Sequence, residues 1–111
     1  MALLCFDVDG TLVPGIGPIP VDVLHELEGV GHKVVIVSPS PLRPPDAPFP
    51  EFLSVDRKKN LLDAQAANPG EHPVYISDNE GDDHLSAEVD FEYVHPDYWA
   101  AFREKLDSQK D

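Results

Sequence analysis

Five short, mainly apolar runs alternate along the chain with segments that form helices or loops, and this alternation restricts the possible folds more than any other feature. The runs lie at residues 2–8, 33–37, 52–55, 73–77 and 91–94. A continuous apolar run followed by a turn signal is typical of a parallel strand that is buried on both faces. Parallel neighbours need long crossover connections, which helices usually supply. The sequence therefore predicts a three-layer α/β/α sandwich around a five-stranded parallel, Rossmann-like sheet.

Four of the segments between and after these runs predict helices, at residues 21–30, 56–68, 83–88 and 96–107. The first has apolar residues about three positions apart and should end at Gly29 or Gly31. The second begins at Asp56, whose carboxylate is a good helix cap. Tyr98, near the start of the last helix, is interpreted as a packing residue. The other residues of that helix expected to face the core are Trp99, Phe102 and Leu106.

The remaining segments are too short or too rich in proline to fold as a second domain. Residues 14–20 are expected to be loop, and residues 106–111 the frayed end of the chain. Residues 38–52 carry six of the twelve prolines, which excludes a helix because proline lacks the amide donor and clashes with the preceding turn. We therefore expect a single domain over residues 1–111, with no cap domain and a stiff proline-rich loop at 39–50.

The charge of the chain is strongly negative, with 21 acidic and 8 basic residues and a net charge of −13. Binding to nucleic acids or anionic membranes depends on Lys and Arg, so these partners are disfavoured. No apolar run approaches the roughly 20 residues that cross a bilayer. The lone Cys5 excludes an internal disulfide, and its apolar neighbours favour a buried thiol in the reducing cytoplasm. The acidity suits a halophilic host, where salt screens the repulsion, and equally an ordinary cytoplasm.

Polar residues follow three of the predicted strands at the point where each strand ends. In an open parallel sheet, ligands bind beyond the carboxyl ends of the strands. Carboxylates gathered at this edge repel one another unless a cation lies between them, and Mg2+ prefers such hard oxygen ligands. The sequence therefore predicts a magnesium site, and the candidate residues at this edge are Asp7, Asp9, Ser38, Asp78, Asp82 and Asp83.

These polar segments also resemble the four motifs of one enzyme family. The segment "DVDGTL" at residues 7–12, after an apolar strand, resembles the first motif of the haloacid dehalogenase (HAD) superfamily of phosphohydrolases. The strand "VVIVS", ending in Ser38, is similar to the second motif, and Lys58 or Lys59 at the start of a helix is similar to the third. The segment "VYISDNEGDD" is similar to the fourth, in which a second Asp follows four positions after the first. All four occur in the family order across residues 3–84, which makes the combination more specific than any single motif.

The resemblance implies a magnesium-dependent phosphatase that hydrolyses phosphomonoesters through an aspartyl-phosphate intermediate. Asp7 would attack phosphorus, and Asp9 would protonate the leaving oxygen and later deprotonate the hydrolytic water. Mg2+ would be held by Asp7, Asp78 and the carbonyl oxygen of Asp9. Asp82 would assist through water. The residues that would bind the phosphoryl group or hold the turn beside it are Thr11, Ser38 and Lys58 or Lys59.

Two of these assignments stay open. Lys58 and Lys59 are adjacent, and neighbours on a helix point in different directions. Lys58 is preferred to Lys59 as the phosphoryl ligand, since a pair of leucines then follows three and four positions later, as in many relatives. Asp83 is an alternative to Asp82 beside the metal, and either residue could instead start a helix at its positive end. His84 lies near the same site and is a candidate substrate contact.

The resemblance leaves the substrate open. Family members that act on small metabolites usually insert a cap domain, which the segments available here are too short to form. An open site suits a large phosphorylated substrate, or closure by a neighbouring subunit of a homo-oligomer. The alternatives to a phosphatase are a catalytically idle binding module on the same scaffold and a phosphotransferase of the same family. A receiver-type signalling domain is disfavoured, because its phosphorylated Asp follows a middle strand rather than the first.

Overall fold

Strands and helices alternate in the described part of the chain, as the apolar runs predict. A computed structural model describes residues 2–7, 12–13, 19–38, 49–53, 56–78 and 82–108. In chain order the elements are β1 (Ala2–Phe6), β2 (Leu12–Val13), β3 (Ile19–Pro20), α1 (Val21–Gly29), β4 (Lys33–Ser38), β5 (Glu51–Leu53), α2 (Arg57–Ala67), β6 (His72–Ile76), α3 (Asp82–Glu88), β7 (Glu92–Val94), a 3-10 helix (Pro96–Tyr98) and α4 (Trp99–Ser108). Each of the five predicted strands and four predicted helices is present, with bounds shifted by a few residues.

Five of the strands form one parallel sheet in the order β5-β4-β1-β6-β7. The first strand of the chain is therefore the central strand of the sheet. Phe6, at the end of β1, pairs with Ile36 of β4 on one side and with Ile76 of β6 on the other. The predicted α/β class, with an all-parallel five-stranded sheet flanked by helices as in a Rossmann-like three-layer sandwich, is confirmed.

Two hydrophobic clusters hold the helices against opposite faces of the sheet. Side chains alternate between the faces along a strand, so Leu4 and Phe6 of β1 belong to one cluster, and Leu3 and Cys5 belong to the other. The first cluster includes side chains of α1 and α4, and the second includes side chains of α2 and α3. All five residues of β1 are buried, which explains why this strand is apolar throughout instead of alternating with polar residues.

Local signals in the sequence set the ends of the helices. The carboxylate of Asp56 accepts a hydrogen bond from the Lys59 N–H (3.1 Å) and caps α2 as predicted. Helix α1 ends at Gly29, but the left-handed turn that follows it falls on Gly31, which has a φ of 104°. Of the two glycines considered as the helix stop, Gly31 is therefore the one whose conformation requires glycine.

The segment expected to be a loop at residues 14–20 contains a short strand. Strand β3 pairs in parallel with β2, with Leu12 opposite Ile19. Ile19 is buried in the cluster below α1 and α4, so burial of this side chain brings the end of the segment into extended conformation. Residues 14–18 lie outside the described part of the chain.

The prediction that the chain is frayed from residue 106 is wrong for residues 106–108. Helix α4 continues to Ser108, and Leu106 is buried. Leu106 follows Trp99 by seven positions and Phe102 by four, which places all three side chains on one face of the helix. Their packing in the same cluster holds the last turn against the sheet.

The buried side chain of Phe49 packs against the core at the end of the proline-rich segment. Residues 39–48 lie outside the described part of the chain, whereas Phe49 is buried and its ring centroid lies 4.9 Å from that of His25 in α1. The carbonyl oxygen of Pro50 accepts a hydrogen bond from the Ile36 N–H (2.9 Å). The exit of the loop is thus attached both to helix α1 and to strand β4.

Cys5 is a free, buried thiol in the middle of the central strand, as predicted. Burial raises the pKa of the Cys5 thiol, because the thiolate would lose its hydration. The side chain therefore acts as a small hydrophobic residue. None of the helices in the described part of the chain has the length and apolar character that a membrane crossing requires. Location in the cytoplasm stays a prediction.

The surface has too few basic side chains to neutralise its acids. At least four of the eight basic residues already lie in ion pairs within the described part of the chain: Lys58–Glu88, Lys59–Asp63, Arg103–Glu26 and Lys105–Glu92. Exposed pairs of this kind contribute little to stability. Dissolved salt would therefore reduce the repulsion among the remaining acidic side chains by screening it.

We expect NaCl to stabilise the protein. Between about 0.01 M and about 1 M salt, the screening length falls from about 30 Å to about 3 Å. The melting temperature measured by calorimetry should rise by about 5 °C or more, which corresponds to about 1 kcal/mol for a domain of this size. Most of the rise should occur at the low end of the series, where screening changes most. A melting temperature that stays constant or falls would show that acidic repulsion does not limit stability.

Candidate functional site

Asp7 lies at the carboxyl end of the central strand, and its side chain is buried. Its N–H donates a hydrogen bond to the Ile76 carbonyl oxygen (3.0 Å), which continues the pairing of β1 with β6 by one residue. The residue is 5% exposed. Burial of a carboxylate is costly unless other groups compensate its charge, so a buried acid at the end of a strand is a candidate functional residue.

The strands on either side of β1 end in the other two predicted polar residues. Counting one position on from the pairs that Phe6 makes, Asp7 is level with Val37 and Ser77. Ser38 and Asp78 therefore each follow one residue beyond the level of Asp7. Since neighbouring strands lie about 4.8 Å apart, the sheet brings the three backbone positions together at one edge. Asp78 is exposed, and the side chain of Ser38 lies outside the description.

Asp7 points toward the face of the sheet that α2 and α3 cover. Leu3 and Cys5 belong to the cluster on that face, and Asp7 is the next residue in the same alternation. Helix α2 begins on this side with Lys58 and Lys59 in its first turn. Lys58 and Lys59, the two candidate phosphoryl ligands, are therefore carried by a helix on the face of the sheet toward which Asp7 points.

Both lysines already pair with carboxylates of the helices. Lys59 Nζ donates a hydrogen bond to Asp63 (2.8 Å), and this bond, with the attraction between the charges, raises the pKa of Lys59. Lys58 Nζ lies 3.7 Å from a Glu88 oxygen of α3. Because the contact of Lys58 is the longer one, its ammonium group is the easier of the two to redirect toward a phosphate.

The other predicted site residues are only partly described. Asp9 and Thr11 lie outside the described residues, and Asp82 is the first residue of α3, with its side chain outside the description. Asp83 and His84 are both exposed, with His84 Nε2 3.7 Å from an Asp83 oxygen. The structure therefore locates Asp7 and Asp78 among the predicted metal ligands, while the roles of Asp9 and Asp82 stay predictions.

The donors that the structure locates at this edge suit magnesium in their chemistry. Within the described residues, no group of three or more His, Cys, Asp or Glu side chains is placed to hold a metal ion. Mg2+ is usually held by one or two carboxylates together with waters and substrate phosphate oxygens. Asp7 and Asp78, at the ends of adjacent strands, supply carboxylates of that kind.

A cavity of about 310 Å3 opens beyond the next strand, β7, and no motif pointed to it. The described residues that line it are Asp83, Tyr93, His95, Asp97 and Tyr98. Tyr93 Oη donates a hydrogen bond to the Ser77 carbonyl oxygen (2.7 Å), and the Ser77 N–H donates one to Val94 (3.2 Å). Tyr93, which lines the cavity, is thus hydrogen-bonded to Ser77, the residue that precedes Asp78 at this edge of the sheet.

The interpretation of Tyr98 as a packing residue is wrong. Tyr98 is 70% exposed, whereas Trp99 is buried as predicted. Successive residues of a helix are separated by about 100° around the axis, so the residue before an inward-facing Trp99 points away from the core. Pro96 favours the first turn of a helix. It could therefore have shown where the helix begins and on which side of the helix axis Tyr98 lies.

The resemblance to the HAD superfamily rests on the four sequence motifs. Comparison of the chain with protein-family models, with curated proteins and with solved structures found no match.

Proposed function

We propose that the protein is a magnesium-dependent phosphatase of the HAD type, which hydrolyses phosphomonoesters through a phosphorylated Asp7. The observation that carries the proposal is the position of Asp7, which is buried at the end of the central strand. On either side of it, Ser38 ends β4 and Asp78 lies two residues beyond the end of β6. From β1 the chain crosses to β4, and from β6 it crosses to β7 in the opposite direction. Ligands of open parallel sheets bind where the direction reverses in this way, which here is between Asp7 and Asp78.

The proposed reaction has two displacements at phosphorus. In the first, a carboxylate oxygen of Asp7 forms a bond to phosphorus, the ester P–O bond breaks, and Asp9 donates its proton to the leaving alcohol. In the second, a water oxygen attacks the aspartyl phosphate, Asp9 takes the water proton, and the P–O bond to Asp7 breaks. Inorganic phosphate leaves, and both carboxyl groups return to their initial states.

The proposed ligands around the phosphoryl group offset its negative charge. Mg2+, held by Asp7 and Asp78, would supply positive charge beside the phosphoryl oxygens. Lys58 is the lysine we assign to the phosphoryl group, because its contact with Glu88 is longer than the Lys59–Asp63 hydrogen bond. Ser38 would donate a hydrogen bond from the end of β4.

Release of inorganic phosphate from an aryl phosphate tests the proposal. We expect turnover with Mg2+, loss of turnover when the metal is removed with a chelator, and recovery when Mg2+ is added back. If no aryl, sugar, nucleotide or protein phosphate is hydrolysed with Mg2+, the proposal fails in favour of an idle binding module. Addition of an acceptor alcohol separates the two active alternatives, since a phosphotransferase would convert the acceptor to a new phosphate ester instead of releasing phosphate.

A further inference from the structure

We infer that the cavity beyond β7 binds a cationic group of the substrate, so that the protein acts on phosphomonoesters whose leaving group carries an amine or a guanidinium. This assignment rests on the proposed function and names the substrate class for the same site. The features that carry it are the aromatic and acidic lining of the cavity, its place beside the strand that is the second neighbour of β1, and the charge of the whole chain.

The lining of the cavity has the chemistry of a cation site. Its carboxylates are Asp83 and Asp97, whose side chains are 57% and 80% exposed. No lysine or arginine is among the described residues that line it. The exposed ring of Tyr98 offers a π face, which attracts an ammonium or guanidinium group within about 6 Å of the ring centroid. Carboxylates beside such a ring would accept hydrogen bonds from the same cation.

His95 contacts two of the residues that line the cavity, Asp97 and Tyr98. The Nδ1 of His95 accepts a hydrogen bond from the Asp97 N–H (3.1 Å), which begins the 3-10 helix. The His95 ring meets the Tyr98 ring edge to face, with 6.4 Å between the centroids and 72° between the planes. His95 is therefore a positioning residue, which orients the ring of Tyr98 and the backbone of Asp97 together.

The cavity lies at the edge of the sheet beside β7, and one of its lining residues is on the face toward which Asp7 points. Tyr93 packs against the cluster below α2 and α3, the side toward which Asp7 points. Strand β7 is the second neighbour of β1, so the backbones of the two strands are about 10 Å apart, and the cavity beyond β7 is at least that far from Asp7. A phosphomonoester with its phosphate at Asp7 would reach the cavity with a cation at that distance or further from phosphorus.

The charge of the chain favours such a substrate over a simple phosphate ester. A phosphomonoester is an anion at neutral pH, and a protein with a net charge of −13 repels it. A positive group on the leaving alcohol reduces this repulsion at long range, and it gains contacts with Asp83 and Asp97 at short range. An uncharged leaving group has neither advantage.

A series of aminoalkyl phosphates of increasing chain length tests the inference. Each is compared with the alkyl phosphate of the same length that lacks the amine, in the presence of Mg2+. We expect kcat/KM to favour the amine by about tenfold or more, with the largest preference at one chain length that spans about 10 Å or more. A uniform preference at all lengths would indicate general electrostatic attraction instead of a defined cavity, and would overturn the inference.

Variants of the cavity separate its contribution from the chemistry. Tyr98→Ala and Asp97→Asn should remove most of the preference for the amine, and leave turnover of the matched alkyl phosphate within about twofold. Tyr98→Phe keeps the π face and should retain the preference. Asp90→Asn, which removes an equivalent exposed charge outside the cavity lining, is the control and should change neither value.

Failure of the inference is distinguishable from failure of the proposed function. Magnesium-dependent turnover with no preference for the amine overturns the inference and leaves the phosphatase standing. A second measurement, titration with ethylammonium chloride followed by NMR of the Tyr98 and His95 ring signals, does not require turnover. Shifts of these signals in the wild type, with the His95 shift lost in Tyr98→Ala, would support a cation site even if no phosphate were hydrolysed. No shift at any concentration that leaves the protein folded would overturn it.

Discussion

The Asp7→Asn variant is expected to lose magnesium-dependent phosphatase turnover by about 1,000-fold or more. The amide cannot act as the anionic nucleophile, so no aspartyl phosphate forms and the second displacement has no substrate. Asn has nearly the same shape as Asp, and the backbone N–H of residue 7 still donates to Ile76. We therefore expect the variant to remain folded, with the loss confined to the chemical step and visible in the rate of phosphate release.

The Asp107→Asn variant is the matched control for this experiment. It makes the same change of charge and shape on an exposed residue of α4, far along the chain from the strand ends. Its turnover should stay within about twofold of the wild type, and both variants should show the same far-ultraviolet circular dichroism. If Asp7→Asn keeps more than a tenth of the wild-type turnover, Asp7 is not the nucleophile and the proposed mechanism is wrong.

The five strands of the sheet were predictable because each contains a short, mainly apolar run, and β1 is apolar along its whole length. A run such as that of β1 has no polar face to turn toward water, so burial between two layers of helices is the arrangement that removes it from solvent. The helices were predictable from their caps and glycines, as with Asp56 and Gly31. Two-residue strands carry no such pattern, and the pairing of β2 with β3 depends on Ile19 reaching the core, which is a tertiary contact.

The sequence predicted which residues at the strand ends form the candidate site, but it did not predict how these residues are arranged in space. The residues Asp7, Ser38 and Asp78 were identified because each follows an apolar run, whereas their adjacency depends on β1 lying between β4 and β6. The order of the strands in the sheet depends on how the crossover connections pack, and no single segment of the sequence predicts it. The contacts of Lys58 with Glu88 and of Tyr93 with Ser77 likewise join residues far apart in sequence. No sequence motif indicated the cavity that Tyr93 lines.

Replacing Leu4 by Ala is expected to reduce the free energy of unfolding by about 2–5 kcal/mol. Leu4 is 0% exposed in the middle of β1, where it pairs with Val34 and Val74 and packs in the cluster below α1 and α4. Its truncation removes buried apolar surface and leaves a cavity that the flanking strands cannot close without moving. Since small domains are stable by only about 5–15 kcal/mol, the midpoint of urea denaturation should fall steeply, with little change in the slope of the transition.

The Leu62→Ala variant separates the burial of Leu4 from the chemistry of the substitution. Leu62 lies in α2 and is 44% exposed, so the same truncation should change the free energy of unfolding by no more than about 0.5 kcal/mol. Equal losses in the two variants would mean that β1 is not the buried centre of the sheet. Because Asp7 is carried by this strand, Leu4→Ala should also lose phosphatase turnover at temperatures where the wild type remains folded, and regain it when the folded state is restored by cooling.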